Sequence, residues 1–274
     1  MSGGLLCSGL VLTAWSFWWE PAGLRLEKEC IELDSRLAGA LRLGILTDLH
    51  IGSPFNGLDK LEKIVIEMNA SESDVVLLLG DFVIHGVTGG SFVPPEQIAA
   101  QLGRLRARYG VFGVLGNHDV WFDAARVRRA LESAGVRLLE DRAARLETDA
   151  GPLWLVGVSD YWTQPHNVKA AMSDVTDRES PVIAFTHNPD VFPEMPDRVN
   201  LTVAGHTHGG QVRLPLIGAP IVPSEFGQRF AAGHIVEQGR RLYVATGVGT
   251  SILPIRFRVP PAITVLTVSR RCGA

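Results

Sequence analysis

"LRLGILTDLHIGSPFNGLDKLEKIVIEMNASESDVVLLLGD", residues 41–81, sets an amphipathic stretch between two apolar runs. Leu58, Leu61, Ile64, Val65 and Met68 recur at helical spacing, so the middle of this stretch is a helix with one buried face. "DVVLLLG" has no polar position between Val75 and Leu79, the pattern of a strand covered on both sides. Strand, helix, strand in this order is a βαβ unit, and it brings a parallel sheet with helices on its faces.

The alternation continues outward on the C-terminal side. A helix entered through Pro94 and Pro95 and closed by Gly110, with "RLRAR" (Arg104 to Arg108) inside it, leads to the strand "VFGVLG". A further helix from Asp123 to about Ala134 carries Arg126, Arg128 and Arg129, and precedes "VRLL"; "LWLVGV", "VIAFT" and "LTVAG" are more strands. After Gln211 helices become scarce, and "QVRLPL", "RRLYVAT" and "AITVLTV" read as strands of a second sheet packed on the first. The 274 residues fit one large α/β domain, and 46% hydrophobic with 20% charged residues describes a globular chain. A net charge of -3 offers no general attraction to a polyanion, so nucleic acid is an unlikely partner.

The ends of the chain differ from its middle. The first nineteen residues carry no charge and finish in Trp15, Phe17, Trp18 and Trp19, residue types of a membrane interface. The apolar part, Leu5 to Trp19, is shorter than the ~20 residues that span a bilayer and has no Lys or Arg before it. Residues 1–22 are therefore expected to be an apolar membrane anchor or signal-like segment, followed by a tether and first strand over 23–40. The side of the membrane stays open, because Arg25 and Lys28 are balanced by Glu20, Glu27 and Glu29. Cys7, Cys30 and Cys272 share no metal-ligand spacing; free thiols are expected, with a Cys30 to Cys272 bridge the open alternative.

Chemistry gathers where the strands end. Asp48 and His50 follow "GILT", Asp81 follows "VVLLLG", Asn117, His118 and Asp119 follow "GVLG", His187 follows "IAFT", and His206 and His208 follow "TVAG". The carboxyl edge of an open α/β sheet is where ligands bind. Five of the eight histidines fall there, with carboxylates and an amide but no thiolate, a donor set that suits Mn, Fe or Zn. Gly80, Gly116 and Gly205 stand just before ligand candidates, as a crowded turn requires. A lone Asp-X-His is weak evidence, since a strand-end Asp often caps the next helix; "GNHD" and "GHTHGG" together are specific.

The ordered set "DLHIG", "GD", "GNHD", "THNP" and "GHTHGGQ", with the later "GVGTSILPIRFRVPP", resembles the calcineurin-like metallophosphoesterase superfamily, and with the apolar N-terminus its bacterial membrane-associated phosphodiesterase branch. The resemblance implies a four-layer α/β sandwich of two mixed β-sheets flanked by helices, with residues 41–274 as the catalytic domain. It implies two divalent or trivalent metal ions (Mn, Fe or Zn), one held by Asp48, His50 and His208, the other by Asn117, His187 and His206, and bridged by Asp81. Thr207 then faces away, with His206 and His208 on one side of an extended segment. The implied reaction is in-line attack by metal-bound hydroxide on a phosphodiester or pyrophosphate, with His118 as general acid. Asp119 either orients that imidazole or caps the following helix. If the tail holds the domain at a bilayer, lipid-linked or nucleotide phosphodiesters are the expected substrates.

Arg256 and Arg258 follow "GVGTS", and Arg256 is the candidate contact to a substrate phosphate. His85, His166, His234 and Asp160 match no motif position. The branch usually carries an acid where Ala262 stands, which leaves any role of that carboxylate in doubt. A nuclease and a non-catalytic scaffold of the same fold are the alternatives; the acidic balance opposes the first, and the complete ligand set opposes the second.

Overall fold

A computed structural model describes residues 10–33, 37–163 and 165–272. Two mixed six-stranded sheets lie face to face. The first has the order β1-β12-β2-β3-β4-β5 and the second β10-β11-β9-β8-β7-β6. In the first, β2 (Leu41–Leu46), β3 (Val75–Leu78), β4 (Val111–Gly113) and β5 (Arg137–Leu138) run parallel, joined by α1 (Leu58–Ala70), α2 (Pro95–Leu102) and α3 (Asn117–Ser133). β12 (Ala262–Ser269) inserts antiparallel to β2 and parallel to β1 (Arg25–Glu32). In the second, β7 (Gly151–Val158), β8 (Val182–Thr186), β9 (Leu201–Ala204) and β11 (Arg240–Val244) are parallel, with β6 (Arg142–Thr148) and β10 (Gly233–Glu237) antiparallel at the edges.

Strand alternation produces the layers. Val75, Leu77 and Leu79 point into the space between the sheets, against Leu155, Phe185 and Val203. Val76 and Leu78 point the other way, onto Ile64, Val65 and Met68 of α1 and Val127 and Leu131 of α3. Beyond the second sheet, Val156 and Ala184 pack on Val168 and Ala171 of α4 (Val168–Ser173) and on Phe192. Each fully buried aliphatic side chain contributes roughly 1.5–3 kcal/mol. The sandwich is thus helix, sheet, sheet, helix.

Several boundaries differ from the sequence expectation. The second sheet begins at Arg142 rather than after Gln211, because β6 and β7 form a hairpin that leaves the first sheet. β12 returns to the first sheet, and "QVRLPL" makes only single bridges, Val212 with Phe257 and Leu214 with Gly218. α2 stops at Leu102, so Arg104 to Arg108 lie in a loop and not in a helix. α3 starts at Asn117, with a kink at Asp123, so "GNHD" opens the helix instead of preceding it.

Cys30 and Cys272 form a disulfide, which replaces the expectation of free thiols. Strand pairing decides it: β1 runs beside β12 in register from Arg25 and Ala262 to Glu32 and Ser269, which brings residues 242 apart in sequence to a Cα separation of 5.9 Å. Cys7 lies outside the described residues. Residues 10–22 are helical, and no helix among the described residues is long and apolar enough to cross a membrane.

Candidate metal centre

The loops leaving β2, β3, β4, β8 and β9 converge at one edge, and their backbones are unusual. Asp48, His50, Asp81, His206 and His208 all take left-handed φ values, 50°, 39°, 55°, 69° and 52°. Side chains rarely tolerate that region, and each instance costs about 1–3 kcal/mol, so the surrounding packing must enforce it. This corrects the reading of "HTH" as an extended segment. Thr207 is right-handed between two left-handed histidines, its hydroxyl donates to Ala231 O at 2.7 Å, and both imidazoles still reach the same cluster.

Glycines make the approach possible. A Cβ on Gly116 would lie 2.2 Å from Asp81 Oδ1, and one on Gly205 2.0 Å from Thr47 Oγ1. Gly247 and Gly249 press on Asp48 Cβ and His50 Cβ, where an added methyl would stand 2.6 Å away in each case. That contact explains the glycines of "GVGTS", which bear on the ligand loop rather than on a substrate.

Asp81 is the centre of the cluster. Its Oδ1 accepts the N–H of His118 at 2.8 Å, which leaves Oδ2 facing His187 Nε2 at 3.3 Å and His50 Nε2 at 3.4 Å. On one side His50 Nε2 lies 3.2 Å from His208 Nε2, and His208 Nε2 lies 3.4 Å from Asp48 Oδ1. On the other, His187 Nε2 lies 3.0 Å from Asn117 Oδ1 and 3.1 Å from His206 Nδ1. Two ligand groups, Asp48–His50–His208 and Asp81–His187–His206, therefore sit side by side, with Asn117 on the second, and a third set of close donors, His50–Asp81–His118, overlaps both.

The donor chemistry fits cations. Asp48 Oδ2 is taken by Thr47 Oγ1 at 2.7 Å and the His206 N–H at 2.9 Å, while its buried Oδ1 has no hydrogen-bond partner. His187 Nδ1 donates to Leu79 O at 2.7 Å, so Nε2 turns its lone pair toward acceptors on three sides. Without an ion a proton must fill that place. Burial alone would lower the His187 pKa, but the Asp81 and Asp48 carboxylates overrule it and hold it at about 10. Burial pushes Asp48 up to about 6 and His50 down to about 3, and it holds His206 and His208 well below the usual imidazole range. Neutral imidazoles beside buried carboxylates are the form that metals take.

Two sequence expectations, for Asp119 and Arg256, change in their details, and Asp160, given no role from sequence, turns out to be local. Asp119 makes no hydrogen bond to His118; its carboxylate accepts the N–H groups of Gly116, Asp81, Phe82 and Val83 at 2.9, 2.8, 2.9 and 3.2 Å. It caps α3 and clamps the Asp81 turn. Arg256 is fully buried, and its guanidinium is spent on the carbonyls of Thr246, Gly247, Gly249 and Val259, so it does not face a substrate. Asp160 holds its own turn through Trp162 N and Thr163.

His118 lines the centre with 7% of its surface exposed, its Nε2 4.0 Å from Asp81 Oδ2 and its Nδ1 without a partner. Burial lowers its pKa. Two half-exposed tryptophans that sequence reading passed over flank the centre. The Trp121 ring lies 5.1 Å from that of His118, and Trp162 meets His206 edge-on at 4.4 Å. His85, set aside from sequence, approaches the His118 ring at 6.0 Å. The only sequence signal for them was position, four residues or fewer from a ligand or from a strand end.

Residues 41–210 match the family model of the calcineurin-like phosphoesterases. Phosphodiesterase YaeI of Escherichia coli is 29% identical over 251 residues, covering 90% of this chain and 89% of that protein. The uncharacterized metallophosphoesterase YkuE of Bacillus subtilis is 28% identical over 225 residues, covering 81% and 77%. Among solved structures, the phosphopantetheinyl hydrolase of Mycobacterium tuberculosis aligns with a TM-score of 0.45 at 15% identity, over 77% of this chain and 92% of that one.

Proposed function

The chain belongs to the calcineurin-like phosphoesterase family, and from that premise we propose that it hydrolyses phosphodiesters with two metal ions. Asp48, His50 and His208 would hold one, Asn117, His187 and His206 the other, and Asp81 both. The observation that carries this reading is the single oxygen Asp81 Oδ2 within 3.4 Å of histidines from both groups. Such ions, Mn, Fe or Zn by the donor set, acidify a water toward neutrality and place positive charge against phosphoryl oxygens.

The chain's own part in the reaction is orientation and proton delivery. His118 borders both groups, is nearly closed off from solvent, and has an Nδ1 without a hydrogen-bond partner. It is the general acid for the leaving oxygen. Trp121 and Trp162 leave an apolar wall on either side, which suits a phosphate carrying two substituents. The likeness to a protein named phosphodiesterase, over nine-tenths of this chain, points the same way.

The same reading places the protein on a membrane surface through its N-terminus. Leu10, Val11, Leu12, Trp15, Trp18 and Trp19 are 44–71% exposed on one short helix, residues 10–22, whose one charged residue, Glu20, is buried. A helix of this kind lies in the interface rather than across it. The disulfide supports a compartment outside the reducing cytosol, and a lipid-linked phosphodiester is the substrate class that this placement favours.

Full-length protein supplied with Mn2+ tests the reaction on bis(p-nitrophenyl) phosphate and p-nitrophenyl phosphate side by side. Faster turnover of the diester, lost in Asp81→Asn, is expected. Metal-loaded protein that cleaves neither would sink the reading. Co-sedimentation with vesicles of anionic phospholipid, weakened by Trp18→Ser with Trp19→Ser, tests the placement.

A further inference from the structure

The N-terminal helix does more than present an apolar face. Two contacts on its other side fasten it to the loop that follows β11. Ser16 O accepts the N–H of Arg256 at 3.0 Å, and the buried carboxylate of Glu20 accepts Val259 N at 2.7 Å through Oε1 and Trp15 Nε1 at 2.6 Å through Oε2. Glu20 is 8% exposed and faces the buried Arg256 as one of its counter-charges.

From Arg256 the connection runs inward. The guanidinium ties Gly249 O at 2.6 and 3.0 Å, Val259 O at 2.9 Å, Thr246 O at 3.1 Å and Gly247 O at 3.2 Å, which fixes the whole 246–249 turn. Its Nη2 stands 3.5 Å from His208 Nδ1. The turn in turn grips the ligand loop, Gly249 N donating to Asp48 O at 2.7 Å and Val248 N to Thr47 O at 3.4 Å. Gly249 is packed so closely on His50 that a methyl group would collide with its Cβ. Asp48, His50 and His208 are thus all braced by one turn and one arginine. The other group is held mainly by different contacts, His187 by Leu79 O and Asn117 by the start of α3, with the His206 N–H on Asp48 Oδ2 at 2.9 Å as a link between the two.

We propose that the N-terminal helix is a strut of one metal position, acting through Glu20 and the positioning residue Arg256 on Asp48, His50 and His208. Three of the left-handed ligand residues, Asp48, His50 and His208, stand at this position and need such enforcement, because their backbones relax once the packing around them loosens. The inference rests on the two-metal reading above and adds that the two positions respond unequally to the helix.

The test is a Mn2+ titration of full-length protein followed by calorimetry and by electron paramagnetic resonance, which separates a coupled Mn pair from a single ion. Wild type should take two ions. Glu20→Ala should weaken one ion by roughly 10- to 100-fold, the cost of losing an outer-shell support, and convert the pair signal to that of a single ion. Glu20→Gln, which keeps the acceptor for Val259, should lie between them, and excess Mn2+ should restore kcat in both. Equal affinity for both ions in Glu20→Ala, or equal weakening of both, overturns the strut. Wild type that fails to take two ions overturns the functional reading as well, and with it the inference. If Glu20→Ala does not fold, Glu20→Gln and Arg256→Lys decide: Arg256→Lys keeps the charge but cannot serve four carbonyls, and must show the same one-sided loss.

Discussion

The Asp119 carboxylate closes on the turn that carries Asp81, accepting the N–H of Asp81 at 2.8 Å through Oδ2 and that of Phe82 at 2.9 Å through Oδ1. With Gly116 and Val83 it gathers four backbone donors from two loops, so the distance between the β3 and β4 loops is set by one side chain. Burial, and then the neighbouring Asp81 charge, push its pKa up to about 7. Asp119→Ala orphans buried N–H groups at about 1–3 kcal/mol each, and a total loss of roughly 3 kcal/mol or more is expected in urea unfolding. Metal content should fall with it. A variant of unchanged stability and metal content but lost turnover would return Asp119 to an orienting role on His118.

His118 separates from Asp119 by a different signature. Its ring makes no hydrogen bond to the ligand loops, its Nε2 standing 4.0 Å from Asp81 Oδ2 and its Nδ1 without a partner, so His118→Ala should fold and keep the ions held by the other ligands. Its effect belongs to the leaving group. With an alkyl phosphodiester, whose alkoxide must be protonated, kcat should drop by roughly 10²–10⁴-fold. With a p-nitrophenyl ester, whose phenolate leaves unaided, the drop should be much smaller. Equal losses on both substrates would remove the general-acid assignment.

The edge that carries this chemistry was legible in sequence because buried strands and their terminal polar residues are both local patterns. "VVLLLG" with Asp81, or "TVAG" with His206, needs no long-range knowledge. What escaped was decided across the sheet order. Arg256 looked like a phosphate ligand because nothing local shows that four carbonyls of its own loop will surround it. Cys30 and Cys272 looked free because their meeting depends on β1 lying beside β12. "HTH" looked extended because alternation is the default, whereas two left-handed residues in sequence neighbourhood follow from packing against Thr47, Asp48 and Val259.

Metal uptake should release protons. At neutral pH the ion-free centre holds a proton on His187, whose pKa the Asp81 and Asp48 carboxylates keep at about 10 against the effect of burial. A metal must displace it, so close to one proton per chain should leave on loading at pH 7, and apparent affinity should rise with pH. Below about pH 6 Asp48 also takes a proton, and affinity should fall more steeply. Calorimetry in two buffers of different ionisation enthalpy gives the count. Chelation should lower the thermal midpoint, since an ion at 100 times its Kd adds about 2.7 kcal/mol to stability. Loading with no proton release would mean that His187 does not change state and lies outside the metal shell.

Lys60, on α1 and outside the ligand set, offers a separate pH test. It is 8% exposed on α1, donates to Pro21 O at 2.9 Å, and is held down to about 7 by burial, with the charges of Arg256 and Lys63 adding to the effect. Unfolded, a lysine keeps its proton to about 10.5. Between pH 7 and 10.5 the unfolded chain therefore binds the extra proton, and stability from this group rises with pH. Below pH 7 both states are charged and the full penalty of burying the ammonium remains. From pH 7 to 9 the gain is on the order of 2 kcal/mol. Lys60→Met removes the titration, and unfolding free energies at pH 7 and 9 should then draw together by that amount, whatever the variant loses from the Pro21 contact. A slope identical to wild type would show that the ammonium is hydrated in the folded chain and that the end of the N-terminal helix stands open to water there.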